Sequence, residues 1–296
     1  MNSPVTSSKL HSINLQKPIT IRLTNRLSVR LYRDSRPHCM ETAPLQKGLV
    51  LMLDNEELIE EGIGFGVPVV KFEDKTYFST SAEVLVQKNN PAYKVKKTFS
   101  LDTVSKKLWR NSYIDDEFYS IWRKRFAKLY LSHRELYPLL NKLMELREIA
   151  KVKTEFLKVK SRGAITVNYE VQPAVINVSV DCSDLMLSAC QEVLVLNEQG
   201  STIFGEYTDS SGLKLVGNRI GAWDVVTAVR ASMLNAKKQL VFSLPKTSGA
   251  TLFRGYEKTR NRFSWAGLSY SLQPNHGTFD YSIRLDYKGI SGNHAT

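Results

Sequence analysis

The chain has 296 residues, 42% hydrophobic and 24% charged, which is typical of a soluble globular protein with a sizeable core. The sequence contains no run of about 18 apolar residues that would predict a transmembrane helix. Residues 1–17 lack the apolar centre of a secretory signal. Three cysteines without a CxxC spacing argue against a disulfide scaffold or a structural zinc site. We therefore expect a flexible polar tail at 1–17, no metal or cofactor, and a cytoplasmic location.

The first structured block, residues 18–100, predicts a meander of antiparallel strands. Apolar and polar residues alternate in Ile19–Thr24 and Leu27–Tyr32, and Asn25-Arg26 fits a tight turn between them. Further strands are predicted at Gly48–Leu53, Val67–Phe72 and Thr76–Val86.

Within this block, Gly62, Gly64 and Gly66 form a G-x-G-x-G pattern. A phosphate-binding loop needs a following helix whose N-terminus faces the phosphate. Here an acidic run precedes the glycines and a β-branched, strand-like stretch follows them. The pattern therefore favours a bend, a bulge or a close approach of two backbones. A ligand could use that close approach, which makes Glu60 and Tyr77 candidate site residues.

The net charge of +12 is concentrated in one segment, since residues 94–162 contain 18 basic and 8 acidic residues. Within Asp115–Ile149, apolar residues recur at steps of three and four, which predicts an amphipathic helix. Pro138 favours a helical pair or one kinked helix, inserted at 101–160. Its basic face is either a solvated surface or an anion-binding surface, with the candidate residues Arg123, Lys124 and Lys128.

The second block, residues 161–290, returns to strands. Asn197-Glu198-Gln199-Gly200 is interpreted as a hairpin turn, and Val225–Met233 as a strand or a short helix. Many short strands without alternating helices favour a mainly β fold. We predict one large antiparallel, supersandwich-like β-sandwich with an inserted basic helical pair or kinked helix. Other strands are expected at Ala164–Val171, Ala174–Asp181, Glu192–Leu196, Ser201–Tyr207, Leu213–Val216, Gln239–Leu244, Ser264–Leu272 and Tyr281–Tyr287.

Two late stretches combine arginines with aromatic residues, a pattern that can stack on sugar rings or bases and hold anions. They are 219-RIGAWDVV-226 and 254-RGYEKTRNRFSW-265. Their alternative interpretation is ordinary cross-strand packing. Asp224 and Glu60 are the carboxylates best suited to acid–base chemistry, but no H-E-x-x-H or G-x-S-x-G motif identifies an enzyme. The ligand-binding candidates are Arg219, Trp223, Arg254, Tyr256, Arg260 and Tyr77.

The strand order, together with 196-LNEQGSTIFGEYTDSSG-212, 221-GAWDVV-226 and 280-DYSIRLDY-287, resembles the β-supersandwich of galactose-mutarotase-like proteins and polysaccharide-lyase sandwich domains. The resemblance covers residues 18–90 and 163–290. It implies a sugar or a uronic-acid polymer as the ligand class. No catalytic residue is carried over, because the His and Glu of mutarotases match no position here.

Three hypotheses follow. The leading one is a protein that binds or processes an anionic carbohydrate on a concave sheet face. The second is a nucleic-acid-associated module that uses the basic helical segment, with affinity that falls steeply as salt rises. The third is a structural protein whose helical stripe packs against a partner or a second copy, as in a homo-oligomer.

Overall fold

The computed structural model describes residues 17–36, 45–73, 75–89, 92–109, 112–113, 152–235, 237, 239–258 and 264–287. This part of the chain forms β-strands and a 3-10 helix at Gly217–Ile220. It contains no helix long and apolar enough to cross a membrane. The strands are β1 (Ile19–Arg22), β2 (Leu27–Leu31), β3 (Leu49–Leu53), β4 (Glu56–Glu57), β5 (Gly64–Phe72), β6 (Lys75–Phe78), β7 (Ser81–Asn89), β8 (Ala92–Ser100), β9 (Thr103–Trp109), β10 (Ser112–Tyr113), β11 (Val152–Lys158), β12 (Ala164–Val171), β13 (Val175–Asp181), β14 (Cys190–Gln199), β15 (Glu206–Asp209), β16 (Lys214–Val216), β17 (Ala222–Val225), β18 (Arg230–Asn235), β19 (Leu240–Pro245), β20 (Ala250–Lys258), β21 (Ser264–Leu272) and β22 (Thr278–Tyr287).

The strands form two antiparallel sheets that pack as a sandwich, so the predicted mainly β class is confirmed. The large sheet has the main order β1-β2-β3-β5-β14-β21-β20-β17, with β4, β6, β9, β10 and β11 attached beside it. The small sheet has the order β16-β15-β18-β19-β22-β13-β12-β8-β7. Alternate side chains of both sheets are buried in one hydrophobic core, where Phe65 of the large sheet meets Phe242 of the small sheet at 5.1 Å between ring centroids.

The predicted helical insertion at 101–160 is wrong at both ends. Thr103–Trp109 and Val152–Lys158 are strands that pair with each other antiparallel, Val104 opposite Leu157. Their pairing satisfies the backbone hydrogen bonds that a helix would otherwise supply. The helical pattern at Asp115–Ile149 lies outside the described residues, as do residues 1–16 of the predicted tail.

Two predicted boundaries in the second block are also wrong. Asn197, Glu198 and Gln199 are not a turn but the buried end of β14, because hydrogen-bonding partners elsewhere in the fold satisfy the amides of Asn197 and Gln199. Val225–Met233 is neither a single strand nor a helix, since the chain passes there from β17 in the large sheet to β18 in the small sheet.

The glycine pattern marks a bulge and a close approach of backbones, as predicted. Gly64 and Gly66 have φ of 94° and 74° within β5, a backbone region that favours glycine. The pairing of β5 with β14 shifts register beside Gly66, between Leu196 and Asn197. A Cβ at Gly66 would lie 2.7 Å from the hydroxyl oxygen of Tyr169, so only glycine fits there.

A buried polar network connects the two sheets at this bulge. The side-chain oxygen of Asn197 accepts hydrogen bonds from the Gly66 N–H (3.0 Å) and the Tyr281 hydroxyl (2.9 Å). The Tyr169 hydroxyl donates to the carbonyl oxygens of Phe65 (3.0 Å) and Gly66 (3.1 Å). Since β12 carries Tyr169 and β22 carries Tyr281, the network holds two central strands of the small sheet against β5 and β14.

Replacing Asn197 with Leu should lower the free energy of unfolding by about 1–3 kcal/mol, because the Gly66 N–H and the Tyr281 hydroxyl would be left buried without a partner. Tyr281→Phe removes one of these bonds without leaving a buried donor and should lower it less. Denaturant unfolding measures both variants. Equal stability of Asn197→Leu and Tyr281→Phe would contradict this role.

Lys97 should make stability depend on pH. Its ammonium is fully buried, donates to the carbonyl oxygens of Tyr32 (3.0 Å) and Lys47 (2.7 Å), and burial lowers its pKa from 10.5 to about 7. Between pH 7 and 10.5 the Lys97 side chain is protonated in the unfolded chain but mostly neutral in the folded one. Because the unfolded state binds more protons there, the free energy of unfolding rises with pH across this range, and this gain is lost as the pH falls to about 7. The free energy of unfolding, measured with denaturant between pH 7 and 10.5, should rise more steeply with pH for the wild type than for Lys97→Met. Equal slopes in the two proteins would contradict this.

Candidate functional site

A groove of about 790 Å³ lies on the outer face of the small sheet and crosses its strands from β7 to β22. Core-facing residues such as Val95, Tyr169, Val178 and Tyr281 alternate with the outward residues that line it. The outward lining residues, together with two from the segment at the end of β19, are Leu85, Gln87, Lys94, Lys96, Asn168, Glu170, Asn177, Ser179, Asp280, Ser282, Pro245 and Thr247.

Strand register arranges the groove in two cross-strand rows of side chains on one face of the sheet. One row runs Leu85, Lys96, Asn168, Ser179, Asp280. The next row runs Gln87, Lys94, Glu170, Asn177, Ser282. Neighbouring positions in a row are about 4.8 Å apart, the spacing between paired strands. The rows therefore present a regular array of polar groups to any ligand in the groove.

Apart from the carboxylate of Glu170, the middle of the groove is made of groups that both donate and accept hydrogen bonds. Asn168, Asn177 and Gln87 offer amides, and Ser179 and Ser282 offer hydroxyls. The hydrogen bond from the Asn177 amide to Glu170 is long, at 3.4 Å. These side chains therefore keep much of their hydrogen-bonding capacity for a ligand.

The lysines of the groove lie at one end, and its carboxylates are Glu170 on β12, beside Lys94, and Asp280 at the far end. Lys94 and Lys96 lie on β8, whereas Asp280 lies on β22, three strand spacings or about 14 Å away. Both lysines are exposed, and neither is among the ion pairs seen in the described part of the chain. One end of the groove can therefore hold an anionic group while the other end accepts hydrogen bonds.

Several residues predicted from the sequence converge at a different place, one edge of the large sheet. Arg254 on β20 donates to Asp224 on β17 (3.2 Å) and to the carbonyl oxygens of Ile220 (2.8 Å) and Val225 (3.3 Å). Its guanidinium also lies 5.1 Å from the centre of the Tyr207 ring. Asp224 thus anchors Arg254 within the fold. Arg219 is exposed in the neighbouring 3-10 helix.

Glu60 lies near Tyr256 and beside the start of β21. The Glu60 carboxylate accepts hydrogen bonds from the Ser264 hydroxyl and from the Thr202 N–H (3.1 Å). Burial raises the pKa of Tyr256, a hydrogen bond with Ser201 lowers it, and the charge on Glu60 raises it. Glu60 is therefore tied to the loop after β14 and to the start of β21.

Trp223 lies beside Arg254 in an unusual backbone conformation. Its φ is 67°, at a bulge in the pairing of β17 with β20, and its ring stacks on Trp265 at 5.0 Å between centroids and 27° between planes. The indole N–H of Trp265 donates to Glu257 (3.1 Å). We call Trp223, Trp265, Glu257 and the neighbouring Glu198 the tryptophan cluster.

Other candidates from the sequence lie elsewhere. Tyr77 is buried on β6, where its ring packs edge-on against Phe72, away from Trp223 and Arg254. Arg260, Arg123, Lys124 and Lys128 lie outside the described residues.

The sequence analysis did not identify the groove or Glu198 as functional, and it included Glu257 and Trp265 in the stretch 254–265 without making them ligand-binding candidates. The only local signal for the groove was alternation, as in Asn168-Tyr169-Glu170 and Asp280-Tyr281-Ser282, which shows which residues point outward but not which strands are neighbours. Glu198 was assigned to a turn. Within the residues that the structure covers, no group of three His, Cys, Asp or Glu side chains could hold a metal ion.

No protein-family model matches the chain, and no curated protein matches it. The solved structures similar to it include galactose mutarotase-like proteins. One from Lactobacillus casei is 10% identical, with a TM-score of 0.41, over 91% of this chain and 99% of its own. A galactose mutarotase related enzyme from Lactobacillus acidophilus is 12% identical, with a TM-score of 0.35, over 92% of this chain and 97% of its own.

The α-N-acetylgalactosaminidase NagBb from Bifidobacterium bifidum is also similar, at 6% identity and a TM-score of 0.47. The match covers 91% of this chain and 36% of NagBb, so the chain spans about a third of that protein's length. All of these are similarities of fold at low identity. The function proposed for this chain therefore depends on its own residues.

Proposed function

We propose that the protein binds an anionic carbohydrate in the groove on the outer face of the small sheet. The observation that carries the proposal is the pair of cross-strand rows, which combine two lysines, amides, hydroxyls and the carboxylates of Glu170 and Asp280. Sugars are rich in hydroxyl groups that both donate and accept, and amide side chains complement them in both roles.

The lysine end determines the charge of the ligand. Lys94 and Lys96 follow each other on one face of β8 and offer only donors, so they suit a carboxylate or a sulfate of an acidic sugar. Asp280 at the opposite end accepts hydrogen bonds from hydroxyl groups. A chain of sugar residues laid across the strands would thus place its acidic group over β8.

The cytoplasmic location and the processing of the carbohydrate stay predictions. The nucleic-acid and homo-oligomer alternatives depend on the segment with Arg123, Lys124 and Lys128, which lies outside the described residues. Binding of an acidic polysaccharide that does not involve Lys94 and Lys96 would favour that segment instead.

The double variant Lys94→Gln/Lys96→Gln should weaken binding of polygalacturonate about tenfold, because exposed ion pairs contribute up to about 1 kcal/mol each. Calorimetric titration measures the affinity. Lys71→Gln/Lys214→Gln, which changes the same charge at exposed lysines of β5 and β16, is the matched control and should bind like the wild type. Equal loss in both double variants would show a diffuse charge effect and contradict the groove.

A further inference from the structure

The outer face of the large sheet lies opposite to the groove. It contains a cross-strand row in which Glu198 is surrounded by glycine and alanine residues. Gly64, Glu198, Gly267, Gly255 and Ala222 are cross-strand neighbours on β5, β14, β21, β20 and β17. A Cβ at Gly267 would lie 3.0 Å from Cγ of Glu198, and a Cβ at Gly255 would lie 2.6 Å from the Trp265 ring. The glycines thus give Glu198 and Trp265 the space in which they lie.

Glu198 is a buried acid without a cationic partner. It is 6% exposed, and the charged group found to act on it in the described part of the chain is Glu257, which has the same sign. Burial raises the pKa of Glu198 to about 8, a hydrogen bond from the Ile63 N–H lowers it, and the charge of Glu257 raises it. At neutral pH Glu198 is therefore a carboxylic acid that can donate a hydrogen bond.

A second buried polar group on this face has no partner. Ser269 follows Gly267 on the same side of β21, is fully buried, and its hydroxyl makes no hydrogen bond. Buried hydroxyls are almost always hydrogen-bonded, so the unsatisfied Ser269 hydroxyl sets this face apart from the well-satisfied core around Asn197.

Trp223 supplies an aromatic surface beside these groups. Its ring is half-buried and stacks on Trp265, and its left-handed backbone is disfavoured by about 1–2 kcal/mol for a residue with a side chain. Arg254 holds this conformation through Asp224 and the carbonyl oxygen of Val225. Strained residues concentrate at binding and catalytic sites.

From this arrangement we infer that the tryptophan cluster is a second binding site, for an uncharged sugar ring that stacks on Trp223 and accepts a hydrogen bond from Glu198. The site is chemically distinct from the groove, because it offers aromatic rings and acids where the groove offers lysines and amides. It lies on the other sheet, so it does not depend on the function proposed for the groove.

The test uses the whole protein with uncharged oligosaccharides, namely maltotetraose, cellotetraose and galactotetraose, and follows tryptophan fluorescence below and above pH 8, the pKa of Glu198. At least one of them should bind below pH 8 and lose affinity above it, because Glu198 then no longer donates to a ring or glycosidic oxygen of the sugar, which can only accept. Glu198→Gln, whose amide still donates, should bind equally across this range. Trp223→Ala should weaken binding about tenfold.

Controls separate this site from the groove and from unfolding. Lys94→Gln/Lys96→Gln should bind the same oligosaccharide as the wild type; if it does not, the sugar lies in the groove and the inference is overturned while the groove stands. Without ligand, the fluorescence of the wild type should change with a midpoint near pH 8, whereas that of Glu198→Gln should not. Absence of binding by all of the oligosaccharides, or the same pH dependence in Glu198→Gln, would also overturn it.

Discussion

The two hydrogen bonds of the Asn197 side chain, one within the large sheet and one to the small sheet, are the constraint on which the groove depends. Its side-chain oxygen binds the Gly66 N–H at the bulge of β5 and the Tyr281 hydroxyl of β22. Such buried groups cost about 1–3 kcal/mol when left unpaired, so a one-residue slip of β5 against β14 is strongly disfavoured. Tyr169 adds the same restraint to β12.

This restraint reaches the groove through the alternation of strands. Tyr169 points into the core, so Asn168 and Glu170 point into the groove; Tyr281 likewise places Asp280 and Ser282 there. Because hydrogen bonds on the core side hold these strands in place, their outward side chains lie in fixed rows. A ligand that spans several strands then meets groups that are already in place, which limits the entropy lost on binding.

Local pattern was enough to predict most strands, because alternation is a property of neighbouring residues. It failed where a distant partner decides the conformation: Asn197 and Gln199 look like turn residues until Gly66, Tyr281 and Leu51 supply their hydrogen bonds. The prediction failed for the same reason at the two ends of the expected helical insertion, because β9 and β11 form strands by pairing with each other.

The candidate sites divide in the same way. Trp223, Asp224 and Arg254 were candidates from two separate stretches of the sequence, and they meet in the fold because β17 and β20 pair and Trp223 and Asp224 are sequence neighbours. Lys96 and Asp280 share a row only through the order of four strands, which the sequence does not display. No sequence motif marks Glu198, because what distinguishes it is burial without a cationic partner, and burial depends on the fold.

A crystal structure of the protein with trigalacturonate bound would test the groove most directly. We predict that the ligand lies across β8, β12, β13 and β22 on the outer face of the small sheet, with a carboxylate on Lys94 or Lys96 and hydroxyl groups on Asn168, Asn177 or Asp280. A trigalacturonate bound anywhere else on the chain, with the groove empty, would contradict it.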